Sequence, residues 1–241
     1  MKNIVNIGCG NQEDEAFSFI CAYKRFLRGS NIFLIEASQA SLESSRSVYR
    51  KSFTEDDGIN FHFLNYAITD DPNAKTVPFY SSKEEPTCGL NSLSPQHAIE
   101  HSRGDTIEPV EVEALTINSL FSILNLTCVD RLFIDTEGWD AKILLDLDMD
   151  KYFVPSIHFE RSHVDGAFQP IENKGPLAIK LLEKFVQHQY TVIPHREWNM
   201  VAIANYWVLP ELAPKLYAYS KEDVMHHHTM TYPRGLKHNA I

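Results

Sequence analysis

The chain has 241 residues, with 22 lysines and arginines against 32 aspartates and glutamates, a net charge of −10 and 44% hydrophobic residues. At about 150 residues per domain, that length fits one large domain or two small ones with a buried core, and excludes a collagenous, coiled-coil or disulfide-scaffold protein. The negative charge and the lack of any basic run argue against nucleic acid as a partner, because binding phosphates needs clustered cations.

Cys9, Cys21, Cys88 and Cys128 form no CxxC pair and read as thiols of a reducing compartment. No stretch reaches the roughly 18 apolar residues of a membrane span. The opening residues Met1 to Gly10 read as an early strand rather than a signal peptide. The expectation is a cytoplasmic protein with no membrane partner; composition leaves the oligomeric state open.

The first apolar run, Ile4 to Ile7, ends at Gly8. Helical spacing of Ala16, Phe19, Ile20, Tyr23 and Leu27 predicts a helix over residues 13–27, closed by Gly29. Ile32 to Ile35 is a strand-length apolar run that stops at Glu36. A Ser-rich helix over 39–53 and a third strand over 60–65 follow. This strand–helix alternation predicts a parallel sheet covered by helices on both faces.

The middle of the chain is less regular. Residues 75–82 read as a short strand. Residues 83–109 read as a long loop inserted in the domain, carrying a short helix near Pro95 to His101. Loops of that length are surface excursions or lids. Regularity returns with a strand over 110–115, a helix over 117–124, a strand over 131–134, a helix over 139–147 and a strand over 156–159. An amphipathic helix over 176–189 precedes two runs, 190–194 and 200–204, that read as a hairpin. The expected domain therefore spans 1–209, with 210–241 a tail whose His226, His227 and His228 read as solvated rather than metal-binding.

Three features carry chemistry. Gly8-Cys9-Gly10 sits between a strand and a helix, where glycines let a ligand approach the backbone. The dinucleotide fingerprint GxGxxG lacks its third glycine, since Glu13 stands there, which disfavours an NAD(P)-dependent oxidoreductase. Glu36, at a strand end, can accept hydrogen bonds from both ribose hydroxyls of a nucleoside. Asp135-Thr136-Glu137-Gly138 follows a buried strand, and Glu160 ends the next. Acids at those ends can hold an amino group, orient a hydroxyl or act as a base, and Asp135 can equally cap a helix.

Taken in order, Val5-Asn6-Ile7-Gly8-Cys9-Gly10, Phe33-Leu34-Ile35-Glu36-Ala37, Leu64-Asn65-Tyr66-Ala67-Ile68-Thr69-Asp70, Gly89-Leu90-Asn91-Ser92-Leu93, Val112 to Ile117, Leu132 to Asp140 and His158-Phe159-Glu160 resemble the FkbM-type methyltransferase family. The run Asp135-Thr136-Glu137-Gly138-Trp139-Asp140 resembles its D-x-E-G-x-[ED] segment. The resemblance implies a class I methyltransferase fold of the α/β Rossmann-like kind, with a seven-stranded, mostly parallel sheet and a C-terminal antiparallel hairpin. It implies S-adenosyl-L-methionine as cofactor and an O-methyl acceptor that is a sugar or small natural product.

On that resemblance Asn6, Gly8, Cys9, Gly10, Glu36, Ala37, Asn65, Ala67 and Asp135 are expected at the cofactor. Asn65 and Ala67 would flank the adenine, and Asp135 the methionine or the acceptor. Asp135, Glu137, Glu160 and His163 are the expected catalytic group, the last three as candidate bases. His163 has an intrinsic pKa of about 6.5. An obligatory metal on these residues is not expected. The chain departs from the family in carrying Asn6 where an acid is usual, and Gln12 near a usual glycine. An adenosylmethionine-binding module without catalysis is the alternative reading.

Overall fold

The computed structural model describes residues 2–10, 14–87, 91–102, 104–160, 176–195 and 199–205. The strands are β1 (Asn3–Ile7), β2 (Asn31–Ile35), β3 (Asn60–Leu64), β4 (Ala67–Ile68), β5 (Thr76–Ser82), β6 (Ile107–Leu115), β7 (Arg131–Ile134), β8 (Ser156–Glu160), β9 (Tyr190–His195) and β10 (Asn199–Ala204). The helices are α1 (Glu15–Tyr23), α2 (Gln39–Ser52), α3 (Pro95–His101), α4 (Ile117–Ile123), α5 (Asp140–Asp146) and α6 (Pro176–Gln187).

The main sheet has seven strands in the order β3-β2-β1-β7-β8-β10-β9. Neighbours from β3 to β8 run parallel, and β10 runs antiparallel to both β8 and β9. This is the mostly parallel α/β sheet with a terminal hairpin that the resemblance implied. Strands β1 and β7 are largely buried on both faces because helices cover both. On one side α1 and α2 bury Phe17, Ile20, Leu42 and Tyr49 against Ile4, Ile32 and Leu34. On the other, α4, α5 and α6 bury Phe121, Leu144 and Phe185 against Val5, Ile7, Leu132 and Ile157.

Local chemistry starts most helices where they begin. The side chains of Asp14, Ser38, Ser94 and Thr116 accept backbone N–H groups at the N-termini of α1, α2, α3 and α4. Helix α1 is shorter than its apolar spacing predicts: it ends at Tyr23, and a 3₁₀ turn over Lys24–Phe26 carries the chain to Leu27. The tighter turn still buries Leu27 fully.

The largest departure from the sequence reading lies in the middle. Residues 107–109 belong to β6, which pairs antiparallel with β5 along its length and parallel with β4 at Ala114 and Leu115. The result is a separate three-stranded sheet, β4-β6-β5. Pro109 hides the start of this strand in sequence, yet proline is tolerated there because that part of β6 is paired on one side only. The long connection between β5 and β6 carries α3, at the residues expected.

Lys184 of α6 ties two helices together. Its ammonium donates to the carbonyls of Leu144, Leu145 and Leu147 at the C-terminal end of α5, at 3.0, 2.7 and 2.5 Å. Partial burial pulls its pKa down, against the pull of Asp146, Asp148 and Asp150. The cation satisfies carbonyls left over at a helix end and meets the negative pole of its dipole. Lys184→Met keeps the stem and removes these bonds. It is expected to cost about 2–3 kcal/mol in urea unfolding, with α5 and α6 loosening together.

Candidate functional site

The strand order reverses direction at β1, and the cleft opens beyond the carboxyl ends of β1 and β7. Open α/β sheets bind ligands at such a point. The chain turns out of β1 at Gly8, with φ +77°, and its N–H returns to the Ile35 carbonyl at 2.9 Å. A Cβ on Gly8 would stand 1.8 Å from the Asp135 carbonyl oxygen. Only glycine lets the two strand ends meet.

Gly10 also has a positive φ, +56°, but open space around it. Its N–H donates to Glu36 Oε2 at 2.9 Å, and the Ser38 N–H donates to Glu36 Oε1 at 2.9 Å. Glu36 is 7% exposed, and burial pushes its pKa up while these two N–H groups pull it down. Each carboxylate oxygen keeps a second lone pair for a ligand hydroxyl.

The cleft beyond these strand ends is narrow, with a cavity volume of about 60 Å³. Of the expected residues, Gly8, Gly10, Glu36, Ala37, Ala67, Asp135 and Glu137 line it. Asn65 lies at its margin, facing a neighbouring depression. There its amide donates to the carbonyls of Glu36 and Ala37 at 2.8 and 2.9 Å, so it braces the end of β2.

Asn6 and Cys9 lie beneath the glycine turn, each 1% exposed, and neither lines the cleft. The Asn6 amide donates to Asp14 Oδ2 at 2.6 Å, while Phe17 N–H donates to Asp14 Oδ1 at 2.6 Å. The Cys9 thiol sits in the apolar layer under α1 and α2, where burial and then the Glu36 and Asp14 charges push its pKa well up. A thiol held protonated in this way is a packing residue. Glu160 is not among the lining residues; its charge acts on Asp135. His163 lies outside the described residues, as does the tail.

Glu137 has φ +52° and Gly138 φ +99°, a sharp turn that is uncommon for a glutamate. Side chains from the insertion hold it. Ser92 Oγ donates to the Glu137 carbonyl at 2.7 Å, and His97 Nε2 lies 3.1 Å from Glu137 Oε2. His97 is 8% exposed on α3 and stacks on His101 with ring centroids 4.3 Å apart. Asn91 and Leu93 of the same insertion, and Phe79 of β5, line the cleft opposite the glycine turn.

Sequence reasoning gave Phe79 and His97 no part in the site, and quoted Asn91, Ser92 and Leu93 only within a resembling segment. Phe79 lines the cleft while its neighbour Tyr80 does not; the two point to opposite faces of β5, and only the sheet's placement decides between them. The sole local signal for His97 was its position on a short helix inside a long loop.

The electrostatics of the cleft are one-sided. Asp135 opens into it and is pushed well up by surrounding protein and by the charges of Asp140, Glu137, Glu160 and Asp14. Because the residue is exposed to the cleft, the crowding of acids is the part of that push that persists when water enters. Among the described residues no lysine or arginine lines the cleft. It therefore favours a cationic ligand. The N-terminus of α1 is capped by Asp14 and followed by Glu15, so its amides do not present the anion site a pyrophosphate needs.

The sequence profile of the methyltransferase FkbM domain matches residues 2–192. The chain belongs to the FkbM methyltransferase domain family. It is also similar to a solved structure, the methyltransferase FkbM from Methylobacillus flagellatus KT, with 12% identity and a TM-score of 0.43 over 84% of this chain and 43% of that one. The chain thus spans less than half the length of that protein. Among curated proteins none matches at a significant level.

The geometry accounts for the end of the segment through which the sequence resembled the FkbM family. Asp140 Oδ2 accepts the Thr136 N–H at 3.0 Å and the Thr136 hydroxyl at 2.6 Å, and Oδ1 accepts the Glu160 N–H at 3.0 Å. One buried carboxylate thus joins the loop after β7 to the end of β8. The departure at Asn6 also has a local answer. The neutral amide is bonded to Asp14, which supplies a carboxylate beside the position where FkbM relatives usually carry one. Burial pushes Asp14 up to about 6 despite the Phe17 and Asn6 donors.

Gly8→Ala is expected to cost about 3 kcal/mol or more, because the methyl meets backbone rather than a movable side chain. Gly10→Ala costs about 1–2 kcal/mol for its positive φ alone. Urea titration of the pair separates close approach from backbone strain.

Asp140 gives a pH signature. Burial and then Glu160 push it up to about 6, against the Thr136 and Glu160 donors. A folded pKa above the unfolded value favours the protonated group in the fold. The stability Asp140 contributes is full below about pH 4 and is lost as pH rises through about 6. The stability difference between wild type and Asp140→Asn is expected to fall by about 3 kcal/mol between pH 4 and pH 7. A difference that grows with pH would contradict the burial assigned to this carboxyl.

Proposed function

We propose that this chain is an S-adenosyl-L-methionine-dependent O-methyltransferase acting on a hydroxyl of a sugar or small natural product. The observation that carries the reading is a cleft with the ribose-accepting Glu36 at one end, a crowd of carboxyls at the other and no cation in its lining among the described residues. A molecule with ribose hydroxyls, a sulfonium and an ammonium meets those features in turn. The pyrophosphate of a nicotinamide dinucleotide meets acids instead.

In this reading Glu36 accepts the ribose hydroxyls, and the backbone of Gly8 and Gly10 lies against the nucleoside. Ala37, Ala67, Tyr66 and Phe79 form the walls for the adenine. Asp135 accepts the methionine ammonium. The cofactor supplies an electrophilic methyl group, and what remains for the protein is alignment and proton removal. Alignment contributes up to about 7–11 kcal/mol in favourable cases. A positioned base adds about 10²–10⁴-fold.

Glu137 is the base best supported. It lines the cleft, its turn is held by Ser92, and His97 sits within 3.1 Å of its carboxylate. Glu160 and His163 remain further candidates. The choice of a sugar or small-product hydroxyl rests on the family resemblance. The alternative of a module without catalysis drew its support from Asn6, and the Asp14 carboxylate beside Asn6 weakens it.

Calorimetric titration with S-adenosylhomocysteine tests the cofactor. Micromolar binding is expected for wild type, at least tenfold weaker binding for Glu36→Ala, and no competition from NADH. Tighter binding of NADH, or no binding of S-adenosylhomocysteine, would overturn the reading. With the cofactor fixed, labelled methyl transfer to a panel of hydroxyl acceptors, compared with Glu137→Gln, identifies substrate and base.

A further inference from the structure

A second group of chemistry-bearing side chains lies beside the cleft, on the face of the sheet that α1 covers. Glu15 stands in the first turn of α1, His158 in β8 and His195 at the end of β9. One ligand atom from each lies within 4.8 Å of the others, and His195 Nε2 is 3.8 Å from Glu15 Oε1. The two imidazoles are 8% and 6% exposed. We propose that Glu15, His158 and His195 form a binding site for one divalent transition-metal ion of the zinc class.

The fold brings the three together for identifiable reasons. His158 is level with Val201 of β10, which is level with Ile193 of β9. His195 follows Ile193 by two residues, so the strand period puts both histidines on one face, His195 nearer the carboxyl edge. On α1, Phe19 packs against Phe133 of β7, and Phe133 packs against His158 at 4.7 Å between ring centroids. Glu15 lies one helical turn before Phe19 on the same stripe, which carries its carboxylate over the histidines.

The spacing suits a metal. Bonds of about 2.0–2.2 Å to nitrogen and oxygen place the ligand atoms roughly 3–4 Å from one another. Small side-chain rotations therefore close the observed triangle. The two rings are nearly perpendicular, at 83° with centroids 5.8 Å apart, so both can face one centre without colliding. Packing on Phe133 restricts the orientation of the His158 ring.

Two imidazoles and one carboxylate form a borderline set that suits zinc, iron(II), cobalt or nickel better than calcium or magnesium, which prefer oxygen throughout. Three protein ligands leave a coordination position for water or a hydroxyl oxygen. The site differs from the acids at the strand ends considered from sequence. It adjoins them, since Glu160 follows His158 by two residues and Asp135 follows Phe133 by two. This inference does not depend on the identity of the methyl donor.

The test is equilibrium dialysis of the full chain, stripped with EDTA, against zinc, with the bound metal counted. The same chain with His226, His227 and His228 changed to alanine removes the competing ligands of the tail. One equivalent of zinc bound at micromolar affinity or tighter is expected in both proteins. Binding should weaken at least tenfold in His158→Ala, in His195→Ala and in Glu15→Gln. The last keeps the shape of the side chain and both buried imidazoles, so it guards against loss through misfolding. Zinc should raise the melting temperature of wild type and not that of Glu15→Gln. Cobalt(II) substituted for zinc should show the visible absorption of a low-coordinate nitrogen and oxygen site. No stoichiometric zinc in wild type, or binding that vanishes in the tail variant and survives in His195→Ala and Glu15→Gln, would overturn the proposal.

Discussion

The contact on which the site depends is the meeting of Gly8 with the Asp135 carbonyl. Strand β1 sits between β2 and β7, and the chain leaves it on one side toward Glu36 and returns on the other toward Asp135. The two exits can form one cleft only if the backbones at the strand ends nearly touch. They do so with the Asp135 N–H bonded to the Ile7 carbonyl at 3.0 Å and no room for a Cβ on Gly8. Glu36 is positioned by the same turn, since Gly10, two residues on, donates to its carboxylate. The Glu36 end and the Asp135 end of the cleft are thus fixed relative to each other by three residues of backbone.

The crowd of acids beyond β7 and β8 has a structural cost that the fold offsets locally. Asp140 is buried and its charge is opposed by Glu160, yet three donors converge on it. Asp14 is buried beside the glycine turn and is bonded by an amide and by the start of α1. These two carboxyls do structural work under the cleft, whereas Asp135 and Glu137 face it. A positive charge in the cleft would relieve the repulsion among these acids. The arrangement is therefore selective for charge before any contact with the rest of a ligand is made.

What was legible in the sequence follows the range of the interactions involved. Strands β1, β2, β7 and β8 showed as short apolar runs because both of their faces are buried, and their ends located Gly8, Glu36, Asp135 and Glu160. Helices showed through the spacing of their apolar residues, while the caps Asp14, Ser38, Ser94 and Thr116, which fix where each begins, went unread. The separate sheet was not legible. Strand β6 alternates glutamates with small apolar residues around Pro109, and β4 has two residues, too few to carry a period. Asn6 and Cys9, expected at the cofactor, lie buried beneath the turn, because a motif records neighbours in sequence, not which way a buried side chain turns. His97 with Glu137, and Glu15 with two histidines, meet across 40 or more residues, and no local pattern encodes such a pairing.

The insertion between β5 and β6 shows why that long-range information matters. Ser92 and His97 reach the Glu137 turn, and Asn91 and Leu93 from the same segment face the cleft. The β5–β6 pair anchors this arm through a continuous ladder, and β4 anchors the ladder to the end of β3 by way of Tyr66 and Ala67. Walls of the cleft on the Glu36 side and the support of Glu137 on the opposite side therefore belong to one connected body. A positive φ at Glu137 is sustained only while that body is in place. The arm is thus a part of the site's geometry rather than a surface excursion, and changes in its packing should be felt at Glu137 before they are felt in the core.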